Sequence, residues 1–481
     1  MRIKQSLLEY VDNVKNGTYT CEDFVLETLE HIEKHEEVLH SYISINQKAI
    51  EDAKKIDKKI QSGEKVGAFY GAPIGIKDNI CIKNSKTTCA SRMLEDFVAP
   101  YDATVITRLK GQDALFIGKN NLDEFAMGLT TEFSAYGPSR NPWNPDYVPG
   151  GSSGGSAVAV SAFECLASLG SDTGGSTRNP ASFCSVVGIK PSYGLISRYG
   201  LISYANSIEQ IGPITRTVKD TAFVLNTIAG IDENDNTTID NHNDDYLGEI
   251  DQGIEGKKIG IIKQMMGEGA SKDVVDATNE AISKLEKQGA QIQDINLEAV
   301  DYSVAAYYTI TATEAGSNLA RYDNLRYGYD FPVEGYEFNS YISRARKRFG
   351  PEVTRRMILG GFVPSAGYAG KYFLKAMKVK NKLTREVNEA FKKVDLLISP
   401  TVPVQPFKIG EKIEDPIALF LVDFNTVTAN LTGKPAISVP FKVTNGLPIG
   451  IQLMAEHNKD KFLLQAAYTL EQNTKLPEVP L

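Results

Sequence analysis

The chain has 481 residues, 42% of them hydrophobic, enough for one large α/β domain or two ordinary ones with a substantial core. Its 52 basic and 60 acidic residues leave a formal charge of −8, which excludes a general electrostatic attraction of the whole chain to nucleic acid. No apolar run approaches the ~20 residues of a membrane helix, and Cys21, Cys81, Cys89, Cys165 and Cys184 are dispersed without CxxC spacing, which argues against a disulfide framework and a thiolate zinc site. A soluble chain in a reduced cytoplasm, with no membrane association, is expected.

Residues 1–65 carry helical periodicity: Leu7, Leu8, Val11 and Val14, then Phe24, Val25, Leu29 and Ile32, separated by the turn signal Asn16-Gly17. They read as amphipathic helices packed on a core formed by residues 66–481. From Gly71 the texture changes to glycine-rich loops between short apolar runs, PIGI at 73–76, ALFIG at 114–118 and VVGI at 186–189. The stretch DATVITRLKGQDALFIGKNN predicts helix, glycine turn and strand, the alternation of an α/β chain.

Residues 231–256 are rich in Asp and Asn and read as an exposed acidic excursion. KKIGIIK at 257–263 predicts a strand, and DVVDATNEAISKLEKQGAQI a helix after it. Residues 301–395 read as a helical insertion, and LLISPTVPV at 396–404 and PAISVPF at 435–441 as strands rejoining the first sheet. The expected architecture is a single large α/β domain, a central mixed sheet covered by helices on both faces.

Two Gly/Ser loops carry the chemistry. One is Gly150-Gly151-Ser152-Ser153-Gly154-Gly155-Ser156; the other, Gly170-Ser171-Asp172-Thr173-Gly174-Gly175-Ser176, places Ser176 24 positions after Ser152. The small apolar stretch between them, AVAVSAFECLASLG, is long enough to return the second loop beside the first. Glycines let backbone N–H groups approach a carbonyl closely, so up to four successive donors over 173–176 could face a tetrahedral oxyanion. A phosphate loop of Walker type needs Gly-Lys-Ser/Thr, which neither loop has. Gly150–Gly154 also satisfies G-x-S-x-G, but the proline-punctuated SRNPWNPDYVPG before it reads as loop, where a nucleophile elbow needs a strand.

A serine nucleophile needs a base. The histidines are His31, His35, His40, His242 and His457, and none lies between 41 and 241. Lys77 closes an apolar strand, where burial would bring an amine toward neutrality; the plain alternative is a strand-end lysine reaching solvent. His31 and His35 stand at i,i+4 spacing, but charged neighbours mark a solvated face, and no metal site is expected. Cys184 reads as packing.

These residues resemble the amidase signature family, marked by the GGSSGGS loop, the GSDTGGS loop and an upstream lysine in a G-x-P-x-G-x-K-D setting. The resemblance implies a triad of Ser176 as nucleophile, Ser152 as bridging serine on a cis peptide, and Lys77 as ultimate base, with Thr173, Gly174 and Gly175 in the oxyanion hole. Longer stretches, NLDEFAMG at 121–128, 188–216, NLARYDNLRYG at 318–328 and FGPEVTRRMILG at 349–360, resemble the A-subunit family of glutamyl-tRNA(Gln)/aspartyl-tRNA(Asn) amidotransferases. That likeness implies glutamine hydrolysis, with ammonia passed to a tRNA-binding B subunit. It also implies a small C subunit in a heterotrimer, misacylated tRNA met only through the complex, no cofactor on this chain, and ATP and Mg2+ on the partner. A pocket for free glutamine should pair its carboxylate and ammonium. By resemblance Arg356 and Asp423 do this, Arg355 being the alternative if the register slips by one, with Tyr307, Met127 and Gly128 beside them. The other reading is a stand-alone amidase acting on another small amide.

Overall fold

The computed structural model describes residues 2–240, 245–325, 327–328, 334–365, 367–368, 370–413 and 415–481. His242 and residues 241–244 of the acidic excursion lie outside them. Among the described residues, eleven strands form one sheet: β1 (Tyr42–Ile45), β2 (Pro73–Lys77), β3 (Leu115–Asn120), β4 (Ala167–Asp172), β5 (Val187–Lys190), β6 (Gln210–Thr215), β7 (Lys258–Ile262), β8 (Gln291–Ile295), β9 (Leu396–Pro400), β10 (Ala436–Thr444) and β11 (Leu447–Ala455). Their order is β1-β3-β2-β4-β6-β5-β10-β11-β9-β7-β8. The sheet is mixed: β2 runs parallel to β3 and β4, and β7 parallel to β8 and β9, while the other pairs are antiparallel.

Side chains alternate across a strand, so each strand feeds two cores. Ile74 and Ile76 of β2 join Leu7, Val11 and Val14 of the helix Leu7–Lys15 in one core. Leu115 and Ile117 of β3 face the opposite layer, with Ala157–Val160 of the helix Gly154–Ser161. On the distal half, Leu396 and Ile398 belong to the first core and Leu397 to a core shared with the helices Ser303–Leu319 and Phe373–Phe391. Helices therefore cover both faces.

The N-terminal helices Leu7–Lys15 and Cys21–Leu39 begin in capping boxes, Ser6 with Glu9 and Thr20 with Asp23, each satisfying free N–H groups of the first turn. A helical reading of residues 1–65 omits β1. Its short YISI run takes the antiparallel edge of β3, with a register shift between Tyr42 and Ser44. Nor is the acidic excursion wholly exposed: Tyr246, Ile250 and Ile254 are buried in the first core, and Asp235 pairs with Arg198 at 3.2 Å. Three apolar side chains hold down a segment whose composition is otherwise polar. The segment 301–395 carries the helices Ser303–Leu319, Phe338–Ala345, Pro351–Phe362 and Phe373–Phe391. No described helix is long and apolar enough to cross a membrane.

Candidate active site

Lys77 is the last residue of β2, and β4 runs parallel beside it in the register Ile74↔Ala167, Gly75↔Ser168, Ile76↔Leu169. Both strands deliver their C-terminal ends to one rim of the sheet, where open α/β sheets place ligands. The loop 149–153 arrives there as irregular chain, with Gly150 at φ +80° and the Gly151–Ser152 peptide cis. No strand precedes Ser152, so the nucleophile-elbow reading fails on structure as on sequence.

Lys77 is fully buried among serines. Its Nζ lies 2.9 Å from Ser152 Oγ, 2.8 Å from Ser153 Oγ, 2.9 Å from Ser171 Oγ and 3.4 Å from Ser171 O. Asn79 Nδ2 donates to Ser171 Oγ at 3.0 Å and holds that hydroxyl in place. Burial brings the lysine down to about 7, against the opposing pull of the Asp123 and Asp172 carboxylates. An amine poised there is half neutral at neutral pH and can take a proton from a hydroxyl. The solvent-reaching alternative for Lys77 is ruled out by its burial.

Asp123 is itself buried beneath this loop. Its Oδ2 accepts from Thr131 N at 2.9 Å, its Oδ1 from Phe133 N at 3.1 Å, and its own N–H donates to Ser152 O at 3.2 Å. Burial pushes its carboxyl up to about 6, although these N–H groups and Lys77 favour the charged form.

Ser176 ends the second loop and keeps 7% of its surface exposed, while Ser152 and Lys77 keep none. The loops are tied directly, Ser153 N donating to Ser176 O at 3.1 Å. The second loop is shaped by Asp172. Its carboxylate accepts from Gly175 N at 2.8 Å and Thr177 N at 3.3 Å, and forms a two-bond pair with Arg178, both contacts 3.0 Å. Burial alone would raise Asp172, but the Arg178 charge and hydrogen bonds, with Asn430, hold it at about 2. The Gly175 N–H is thus engaged, whereas the N–H groups of Thr173, Gly174 and Ser176 meet no acceptor among the described residues. Gly175 sits at φ +131°, where an added Cβ would stand 2.6 Å from Thr426 Cβ, so only glycine fits.

The remaining sequence-derived residues form a wall against this loop. Tyr307, in the helix Ser303–Leu319, lies against Gly174 and meets Tyr308 edge-on at 4.9 Å. Tyr308 OH donates to Asp423 Oδ2 at 2.8 Å. Arg356, buried on the helix Pro351–Phe362, donates from Nε to Glu352 Oε1 at 2.7 Å and from its Nη1 to Tyr204 OH, and its guanidinium lies 5.1 Å over the Tyr308 ring. Burial lifts the Asp423 carboxyl to about 7, against the Tyr308 hydroxyl and the Arg356 charge. The same segment reaches the loop through Thr426, whose Oγ1 donates to Gly174 O at 2.5 Å and Asp423 O at 3.0 Å. Met127 is buried in the core that also holds Tyr307, and Gly128 packs on Asp123. Arg355, one residue along, points instead to the half-exposed side, pairing with Glu352 and lying 5.1 Å over Phe420.

Ser153, Ser171, Asp123, Arg178, Tyr204, Tyr308 and Thr426 escape a reading of the sequence. Ser153 and Ser171 lie inside the two Gly/Ser loops; the others need partners far along the chain to be recognised. His31 and His35 are less solvated than their charged neighbours suggest: His31 Nε2 bonds Ala162 O at 2.7 Å, at the end of the helix Gly154–Ser161, and the rings lie 4.5 Å apart. His457 Nε2 bonds Tyr193 O at 3.1 Å. Neither histidine bond reaches the serine cluster. Cys184 is buried with Sγ on Pro149 O at 3.3 Å. Among the described residues no group of three His, Cys, Asp or Glu is arranged to hold a metal ion.

Residues 23–464 match the family model described as Amidase. The chain is 61% identical over 478 residues to the glutamyl-tRNA(Gln) amidotransferase A subunit of Cenarchaeum symbiosum (strain A), covering 99% of each chain. It is 49% identical over 475 residues to the protein of that name from Nostoc sp., covering 98% of each. The crystal structure of the glutamyl-tRNA(Gln) amidotransferase A subunit from Thermotoga maritima superposes with a TM-score of 0.84 at 40% identity, covering 100% of this chain and 98% of that one.

Proposed function

The chain belongs to the amidase signature family, and from that premise we propose that it is the glutamine-hydrolysing A subunit of a tRNA-dependent amidotransferase. The observation that carries this reading is identity of 61% kept over 99% of both chains with a protein named for that role. The geometry supplies what the reaction needs: an amine near neutrality 2.9 Å from one serine and, one loop away, a second serine partly open to solvent.

In this reading neutral Lys77 takes the Ser152 proton, and Ser152 takes the Ser176 proton as Ser176 Oγ attacks the side-chain amide carbon of glutamine. The oxyanion is received by the free N–H groups of Thr173 and Gly174, each such donor being worth ~3 kcal/mol in the transition state, with Gly175 contributing chiefly the shape of the loop. Collapse breaks the C–N bond, and ammonia leaves with the relayed proton. Water then attacks the ester through the same relay, releasing glutamate and restoring Ser176. Arg356 and Asp423 pair the carboxylate and ammonium of glutamine, with Tyr307, Met127 and Gly128 around the side chain. Binding would draw Arg356 from Glu352 and Asp423 from Tyr308 to the ligand, with Arg355 remaining on Glu352.

The ammonia is consumed by a B subunit that binds tRNA and holds ATP and Mg2+, with a small C subunit completing a heterotrimer. The acceptors are Glu-tRNA(Gln), Asp-tRNA(Asn) or both. Five free, buried cysteines suit a reducing cytoplasm. The test is hydrolysis of glutamine by the assembled enzyme, followed by amidation of each misacylated tRNA. Loss of glutamate release and of a trapped glutamyl ester in Ser176→Ala is expected. A chain that isolates alone and cleaves diverse amides without preferring glutamine overturns the reading.

A further inference from the structure

We infer that the outer face of the helices Pro351–Phe362 and Phe373–Phe391 is the seat of an acidic protein subunit that presents an apolar ridge between its charges. This rests on the proposed reading of the chain as one subunit of a larger enzyme, and adds where and by what chemistry the partner is held.

Six large apolar side chains are exposed within seventeen residues: Ile358, Leu359, Phe362, Tyr368, Tyr372 and Leu374, Ile358 at 68%. On the first helix, positions 358, 359 and 362 form one outward stripe, while Val353, Arg356 and Gly360 turn inward and are buried. The stripe continues into a cluster in which the Phe362 ring lies 4.6 Å from Tyr368 and 6.0 Å from Tyr372, with Tyr368 and Tyr372 stacked at 6.0 Å. Scattered surface hydrophobes are ordinary, but a contiguous patch of this kind marks a binding surface, and aromatic rings are what interface centres are enriched in.

Charge identifies the occupant. Across residues 351–391, the two helices and the segment between them, the sequence holds eight Lys and Arg against three acids, Glu352, Glu386 and Glu389, in a chain whose net charge is −8. Lys371, Lys375 and Lys378 flank the aromatic cluster, are exposed, and form no ion pair among the described residues. Complementary potential steers and registers a partner. Phe362, Tyr368 and Tyr372 offer planes on which bases could stack and the lysines would answer a phosphate backbone, but the other half of the patch, Ile358, Leu359 and Leu374, is aliphatic, which fits the apolar ridge of a protein. The face is also well placed: Arg356 occupies the inner side of the same helix, and Tyr307 of the helix beneath touches Gly174. A partner seated here lies about one helix diameter, ~10 Å, from the glutamine-binding residues.

The experiment coexpresses the full chain with tagged cognate partner subunits and measures affinity by titration. Ile358→Glu, Tyr372→Glu and the pair K375E/K378E are compared with Val38→Glu, an exposed apolar position far along the chain. The first three are expected to weaken association at least tenfold, the lysine pair most at low salt, while Val38→Glu leaves it unchanged. Melting curves equal to the parent's show that the variants fold. A parent chain that binds no partner overturns the proposed role in a larger enzyme itself. A parent that binds, with all three variants binding equally well, overturns only the placement of the partner on this face. Loss of tRNA binding by an intact complex, or a parent self-association abolished by the variants, gives the face to RNA or to a second copy and equally overturns it.

Discussion

The ring of Tyr307 occupies the space in front of Gly174 that any side chain there would need: an added Cβ would lie 2.8 Å from Tyr307 Cε2 and closer still to Cζ and the hydroxyl. One helix of the 301–395 segment therefore sets how the loop ending in Ser176 may be shaped. Gly174→Ala must displace the ring or the loop, at a cost of about 1–3 kcal/mol for overpacking and a turnover loss of ~100-fold or more as the donors leave register. Truncating Tyr307 to Leu in the same chain should recover stability without recovering turnover. Additive stability losses in the pair would show that the two residues do not compete for that space.

The pH dependence follows from Lys77. In the proposed mechanism it acts as a base only when neutral, so kcat/KM should rise with pH up to about 7 and level off above. Asp123 holds the ammonium up, so Asp123→Asn should move the midpoint to lower pH, its single amide oxygen keeping one of the two bonds from Thr131 N and Phe133 N. Lys77→Arg, unable to release its proton, should abolish hydrolysis. A midpoint that stays put or rises in Asp123→Asn rules out the charge coupling.

Much of this was legible in the sequence because it depends on local chemistry. A lysine closing PIGIK and two Gly/Ser loops a helix-and-strand apart specify their own placement once β2 and β4 pair in parallel. What was hidden is long-range. Nothing around Asp172 announces that Arg178 and Asn430 will share it, nor around Asp423 that Tyr308 will, because each partnership spans more than a hundred residues or a turn of buried chain. The YISI run of β1 is too short for periodicity to separate from helix, and takes its identity from the free edge of β3. The buried anchors in the acidic excursion were masked by the polar text around them.

Removal of Arg178 should be far more damaging than its place outside the triad suggests. Arg178→Ala leaves a fully buried carboxylate without its cation, a loss of about 3–5 kcal/mol in unfolding by denaturant at pH 7. Because Asp172 is held at about 2, below the ~3.9 of an unfolded chain, its stabilisation is fully present above pH ~4 and disappears as the pH falls through about 2. The variant should therefore lose most of that acid-side dependence. An unchanged profile would assign it to other carboxylates.

Arg356→Lys tests the glutamine pocket. Lysine keeps the charge but gives up the planar fork that meets Glu352 and Tyr204 together. KM for glutamine should rise ~10- to 100-fold, with kcat changed much less, since in the proposed pocket the residue pairs a charge present equally in ground and transition states. A fall in kcat at constant KM would place Arg356 in the chemistry instead.

The sheet order has a consequence for the growing chain. β5 waits for β10 at its edge, and Arg178 waits for Thr426, Asn430 and Gln452, which lie 248, 252 and 274 residues downstream. Lys77, Ser152 and Ser176 all lie in the first two-fifths of the chain, yet the Arg178–Asp172 pair behind the Ser176 loop gains Thr426, Asn430 and Gln452 only from its last third. A half-made polypeptide therefore carries every reactive group and no finished site.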